Sequence, residues 1–172
     1  MKLNAYIALL RAVNVGGTGK LPMSELKSMC EALGFQSVRT YIASGNAVFQ
    51  SAKSEAQVKA ALESALAKYA NKPVGVLIRS AAEMAAVLAE NPFQQMPGNR
   101  THAHFLDKPP VADALQTVSN SAGEELRLGQ REIYVYYPDG MGESKLKIPA
   151  AKNGTARNMN TVAKLAEIAA SL

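Results

Sequence analysis

Residues Ser37–Ser51 read SVRTYIASGNAVFQS. Two short runs, SVRTYIA and NAVFQS, carry the β-branched and aromatic residues of strands, and Ser44-Gly45 between them is a hairpin signal. What flanks the hairpin decides the fold. Upstream, LNAYIALLRAV (Leu3–Val13) is apolar on both faces, as a central strand is. Pro22 then opens a helix with Leu26, Met29, Cys30 and Leu33 at i, i+3, i+4 and i+7, closed by Gly34. Downstream, Ser54 begins a second helix whose Val58, Leu62, Ala65, Leu66 and Tyr69 form one face, and VGVLIRS (Val74–Ser80) is a fourth strand. The order β-α-β-β-α-β is that of a ferredoxin-like unit.

A similar order returns after a connecting helix marked by Met84, Val87 and Leu88. HAHFLD (His102–Asp107) reads as a strand, PPVADALQTVS (Pro109–Ser119) as a helix begun by prolines, and EELRL and REIYVYY as a hairpin about Gly129-Gln130. A linker rich in Pro, Gly and Lys leads to a last helix from about Asn158, with Val162, Leu165, Ile168 and Leu172 turned inward. The expectation is an α+β chain of two ferredoxin-like α/β plait halves packed together, the second with an incomplete or displaced last strand. Residues 1–80 form the first half, 81–100 a connecting helix and linker, and 101–172 the second half. Each half alone would bury too little apolar surface, which is the reason to expect them to pack.

Composition narrows the class. With 48% apolar and 19% charged residues the profile is globular. The one cysteine, Cys30, has no partner for an internal disulfide and points to a reducing compartment. No apolar run approaches the roughly 18 residues that span a bilayer. The start resembles a secretory signal, but Arg11 interrupts the apolar run, so the reading is the first strand of a cytoplasmic protein with no membrane partner. Net charge is +5, and Ser144–Ala166 holds no Asp or Glu but five cations: Lys145, Lys147, Lys152, Arg157 and Lys164. That stretch is either a solvated basic face or an anion-binding surface.

The stretch RAVNVGGTGKLPMSEL (Arg11–Leu26) has the look of a phosphate loop and fails the test. Aligned as G-x-x-x-x-G-K-[ST], it has Asn14 where the first Gly belongs and Leu21 where the magnesium-binding hydroxyl belongs. G-x-G-x-x-G fails as well, since Gly17-Thr18-Gly19 is followed by Lys20-Leu21-Pro22. A turn that needs unusual glycine angles is the plainer account, with backbone N–H groups at the following helix start as a weak anion attraction. Topology adds something: in a β-α-β-β unit the first and second strands run parallel with the third between them. Arg11, Asn14, Lys20, Ser44 and Asn46 therefore fall at one edge of the sheet, where the plain alternative is local turn stabilisation.

Four stretches, ALLRAVNVGGTGKLPMSEL, LGFQSVRTYIASGNAVF, YVYYPDGMGESKL and GTARNMNTVAKLAEI, resemble in order those of the bacterial domain-of-unknown-function family 1697. The resemblance implies a two-part α/β plait and no particular activity. It marks Arg11, Asn14, Gly16, Gly17, Ser44, Gly45, Asn46, Asp139, Gly140, Ser144, Lys145, Arg157, Asn158 and Asn160 as motif positions. One departure is Met159, where the family usually has Trp. Met replaces an aromatic that packs, but not one that stacks on a ligand.

The remaining chemistry is thin. His102 and His104 share one strand face without a third ligand, so no metal is expected. Cys30 lies on an apolar helix face and reads as inert. Tyr134 and Tyr136 share a strand face, as stacking aromatics do on RNA-binding sheets, but packing is the simpler role. No nucleophile–base signature is present, and no cofactor is implied. The last helix starts with Arg157, Asn158 and Asn160 and no acid, which suits either an anion or a plain asparagine N-cap. The leading expectation is a small phosphate- or carboxylate-bearing ligand held by Arg157, Lys145 and Arg11 and oriented by Asn14, Asn46 and Asn160, with Gly16, Gly17, Lys20, Ser44, Asp139, Ser144 and Asn158 as further candidate ligand-binding residues. The alternatives are a nucleic-acid surface using the same cations and a dimer that consumes the sheet faces.

Overall fold

A computed structural model describes residues 2–14 and 20–172. The chain divides into two compact units, one comprising the residues through Met84 together with Leu165–Leu172, the other Ala85–Lys164. In the first unit β1 (Asn4–Leu10), α1 (Met23–Ala32), β2 (Gln36–Thr40), β3 (Asn46–Ser51), α2 (Glu55–Ala70) and β4 (Val76–Ser80) follow the order read from the sequence. The sheet order is β2-β3-β1-β4, antiparallel throughout, with Ala8 opposite Ala47 on one side and Ile78 on the other.

Strand alternation sorts the core. Tyr6, Ala8, Leu10, Ala47, Phe49, Val76 and Ile78 turn towards α1 and α2, which meet them with Leu26, Cys30, Val58, Leu62 and Leu66. Phe35 stacks on Phe49 with ring centroids 4.3 Å apart. The opposite face, with Ile7, Leu9, Val48, Leu77 and Arg79, is buried too. This explains why β1 carries no polar alternation. On that face Arg39 Nη1 donates to Ser171 Oγ at 3.5 Å. α2 opens with a capping box, in which Ser54 Oγ accepts from Gln57 N and Gln57 Oε1 accepts from Ser54 N. Tyr69, expected on the apolar face of α2, is instead 46% exposed at the last turn of the helix.

The second unit repeats the ladder with a thinner covering. Its strands β5 (Thr101–Phe105), β6 (Glu125–Leu128), β7 (Glu132–Tyr136) and β8 (Thr155–Asn158) pair in the order β6-β7-β5-β8. The last strand, expected to be incomplete or displaced, is short and holds the place in the second sheet that β4 holds in the first. It is four residues long and lies at the sheet edge, held by backbone pairing such as Ala103 opposite Arg157. No hydrophobic alternation announces it. The expected helix in 109–119 is only a 3₁₀ turn, Ala114–Thr117, and a second such turn, Pro149–Ala151, replaces the other crossover helix. Pro109-Pro110 removes two N–H donors, and Val111 is 66% exposed, so no apolar stripe is available to dock a helix there. Leu115, Leu146, Ile148 and Ala151 cover Leu106, Ile133, Val135 and Tyr137 instead. On the other face Tyr134 is buried, its Oη donating to Val87 O in α3 (Ala81–Ala89) at 2.8 Å. The helix α4 (Met159–Ala170) follows β8 directly. No helix among the described residues is long and apolar enough to cross a membrane.

The hairpin glycine is fixed twice over. Gly45 has φ +92°, and a Cβ there would lie 2.6 Å from Val13 Cγ2 and 2.9 Å from Leu10 Cβ. Gly34 has φ +87° but open space around it. Gly45→Ala should therefore cost about 2–4 kcal/mol in urea unfolding, and Gly34→Ala about 1 kcal/mol. Equal losses at the two sites would refute the steric account of the hairpin.

Candidate functional site

Beyond β1 the backbone departs from ordinary geometry. Ala12 and Asn14 take left-handed angles, φ 51° and 55°. Asn tolerates this better than Ala does. The Asn14 amide then does three things: Oδ1 accepts from Leu21 N at 2.6 Å, and Nδ2 donates to Leu21 O at 2.9 Å and to Ala43 O at 2.8 Å. Both polar groups of the Leu21 backbone are thus bound to one side chain, and the β2–β3 hairpin is tied to the same point. Asn46 is fully buried, and its Nδ2 donates to Tyr41 O and Ser44 Oγ at 2.8 and 3.0 Å. Leu10 N donates to Gly45 O and Arg11 N to Gly75 O, each at 2.9 Å. The structure therefore gathers Arg11, Asn14, Ser44 and Asn46 at the edge expected from topology, and Asn14 and Asn46 act there as scaffold. Gly16 and Gly17 lie outside the described residues.

Beside this scaffold is a cleft of about 240 Å³. Among the described residues, Ala12, Val13, Leu21, Leu66, Ala70 and Val74 form its apolar lining, Tyr69 stands among them, and the exposed Lys20 and Lys72 also line it. Among its described lining residues there is no Asp or Glu. Lys20 was marked by the sequence; Lys72 and Tyr69 were not. Their signal was available in the position of both at the end of α2, which topology brings to the same sheet edge as the end of β1.

The other candidates belong to the second unit. A cleft of about 370 Å³ is lined by Asp139, Gly140, Ser144 and Lys145, together with Glu124, Glu143 and Tyr137. Ser144 Oγ donates to Glu124 Oε2 at 2.6 Å and accepts from Leu146 N at 3.1 Å. The Ser144 hydroxyl and the Ala122 N–H hold the Glu124 carboxyl below its usual range. Three acids face one lysine here, so the basic reading of Lys145 is offset locally. Glu124 and Tyr137 were missed, although counting back along the hairpin from Leu128 opposite Ile133 puts Glu125 opposite Tyr136 and Glu124 beside Tyr137.

Arg157 corrects the expectation for the last helix. It belongs to β8 rather than to a helical turn, and it is buried, 6% exposed. Its Nη1 donates to Thr155 Oγ1 at 2.7 Å and to Ala156 O at 2.9 Å. Burial lowers its pKa to about 10, which leaves it charged at neutral pH. Asn158 Oδ1 accepts from Thr161 N at 2.9 Å, an N-cap to α4. Asn160 is exposed and its Oδ1 lies against Gly98, where a Cβ would approach it to 2.2 Å. Met159 is buried, so in this chain the position packs. Asp139, Asn158 and Asn160 all lie near the start of β5, because β7 and β8 both end there.

Behind Tyr137 sit the two histidines. His104 Nε2 and Tyr137 Oη share a 2.8 Å hydrogen bond, and the His102 ring meets Tyr137 edge-on at 5.3 Å. Burial lowers both histidines to a pKa of about 4 and raises Tyr137 to about 12. Among the described residues, no group of three or more His, Cys, Asp or Glu is placed to hold a metal ion. Cys30 is fully buried, which pushes its thiol up to about 12.

A family model described as "Protein of unknown function (DUF1697)" matches residues 3–134, well over half of the chain. The chain belongs to this family. The matched span contains the Asn14 clamp, the hairpin and every described lining residue of the smaller cleft. The fold is also that of the conserved bacterial protein SP0830 from Streptococcus pneumoniae: TM-score 0.78, 26% identity, covering 98% of this chain and 99% of that one. No curated protein matches the chain in sequence.

Two outcomes are expected. Asn14→Ala removes two part-buried hydrogen bonds and one exposed one and should cost about 1–3 kcal/mol by urea unfolding; a loss under 0.5 kcal/mol would show that the clamp is not holding the loop. The histidines stay neutral in the folded chain down to about pH 4 but titrate near 6.5 when unfolded. From pH 6.5 to 4 the unfolded chain binds protons that the folded chain does not, so stability falls as pH falls through that window and levels below it. His102→Gln should flatten that slope, whatever it does to stability at neutral pH.

Proposed function

We propose that this family member binds a small anionic ligand, carrying a phosphate or carboxylate, in the cleft at the end of β1. The observation that carries the reading is the lining itself: two lysines, Lys20 and Lys72, and no acid among the described residues around it. An ion held in a partly enclosed, partly apolar cleft is screened less than on an open surface, so two cations there attract an anion effectively. The Asn14 clamp fixes the backbone at Leu21, next to Lys20, and so fixes that wall of the cleft. Arg157 contributes little to this reading, since it is buried and hydrogen-bonded within its own strand. Lys145 faces Glu124, Asp139 and Glu143 across the larger cleft, which suits an anion less well.

A thermal-shift screen at low and high salt tests this, with inorganic phosphate, sugar phosphates, carboxylates, nucleotides and a short RNA as probes. A ligand at about 100 times its Kd adds roughly 2.7 kcal/mol, a shift of several degrees. The expected result is a small-anion shift that survives high salt, disappears in Lys20→Ala and persists in Lys145→Ala. A shift that persists in Lys20→Ala/Lys72→Ala would overturn the site. Stabilisation by RNA alone, lost steeply with salt, would favour the nucleic-acid reading instead.

A further inference from the structure

We infer that the ligand of the smaller cleft is a single anionic group on a compact apolar body, such as an aryl or short branched carboxylate or an aryl phosphate monoester. This rests on the anion reading just given and narrows it to a class.

Three features lead there. The first is what the walls are made of. Val13, Leu21 and Leu66 belong to the hydrophobic core cluster beneath the sheet, and Val74 packs against that cluster. The floor of the cleft is therefore the core itself, with the polar groups arranged around it. Among its described lining side chains, the Tyr69 hydroxyl is the one neutral hydrogen-bonding group. A sugar phosphate seated there would leave most of its hydroxyls without partners, and each stranded hydroxyl costs roughly tenfold in affinity. An apolar body loses nothing of the kind and gains by leaving water.

The second feature is size. At about 240 Å³ the cleft has room for roughly eight water-sized groups of about 30 Å³ each. That accommodates one six-membered ring or branched chain with a charged substituent, and falls below the roughly 300–1,000 Å³ of pockets for drug-sized ligands. A nucleotide is too large to be enclosed.

The third is where the charge goes. α2 ends at the cleft, with Asn71 in the left-handed conformation, φ 57°, as its C-cap. The carbonyl end of a helix carries partial negative charge, which Lys72, directly after the cap, offsets. Lys20 comes from the segment leading into α1, so the helix end nearest it in sequence is an N-terminus and not a carbonyl end. The anionic group accordingly belongs with Lys20, and the apolar body lies across Leu66 and Val74 towards Tyr69, whose half-exposed ring offers a face to stack on.

The test is a titration of the full chain by calorimetry or NMR with four probes: benzoate, phenyl phosphate, inorganic phosphate and glucose 6-phosphate. The variants are Lys20→Ala, Lys72→Ala and Ala70→Leu, the last placing a larger side chain in the cleft from α2 while keeping a good helix former. Each variant's unfolding midpoint is measured first to show that it folds. Benzoate or phenyl phosphate should bind at least tenfold tighter than inorganic phosphate and glucose 6-phosphate. Ala70→Leu should abolish that binding, and Lys20→Ala should weaken it more than Lys72→Ala does. Glucose 6-phosphate binding as tightly as the aryl probes, still dependent on Lys20, would overturn the apolar-body assignment and leave the anion reading standing. Aryl binding indifferent to both Ala70→Leu and Lys20→Ala would overturn both, as would the failure of every probe to bind.

Discussion

The amide of Asn14 is the constraint on which the first unit's upper edge depends. One side chain closes both backbone groups of Leu21 and reaches across to Ala43 in the hairpin. It thereby ties the approach to α1 to the end of β1 and the β2–β3 turn, two segments that the β1–β3 ladder already brings together. Buried or half-buried backbone groups must find partners. Asn is suited to this task, because its two ends donate and accept at once, as a peptide group does. Its left-handed backbone angle is the second reason that this residue type fits the position.

The two units use one ladder and cover it differently. Arg79 in β4 lies opposite Ile7, and Arg157 in β8 lies opposite Ala103, the corresponding place in the second sheet. Each is buried, and each turns its Nη1 back to the carbonyl before it, Ile78 O and Ala156 O, at 2.9 Å. Arg39 and Arg127 occupy the other edge of the same rows, opposite Val48 and Tyr134. The correspondence extends to register, which makes the repeat firmer than hydrophobic pattern alone indicated. What differs is thickness. Helices of 10 and 16 residues cover the first sheet, where short 3₁₀ turns cover the second.

This contrast explains what was legible in the sequence. The first unit announced itself because its helices bury a 3.6-period stripe and its hairpin carries a glycine with no alternative. β8 left no such trace: its four residues, Thr155–Asn158, gain their place from backbone pairing along an edge, and pattern reading detects faces rather than ladders. Site residues divided in the same way. Asn14, Ser44 and Asn46 were correctly placed at one edge, since strand order dictates it, but their hydrogen bonds show them holding the chain. Lys72 and Tyr69 escaped notice because helical spacing assigned Tyr69 inward, although strand order puts the end of α2 at the same sheet edge as the end of β1. Glu124 was hidden because one of two adjacent acids at the start of a strand looks like any solvated residue until the partner strand's register is known.

Cys30 carries a kinetic consequence. It is the chain's one cysteine, fully shielded beneath α1, with its thiol held neutral by burial. Modification by a thiol reagent must then wait for α1 to lift from the sheet. Where opening and closing are fast relative to the chemistry, the labelling rate reads out the population of that opened form. The first unit thus contains a native reporter of its own breathing, seated on the layer that also supports the wall of the cleft.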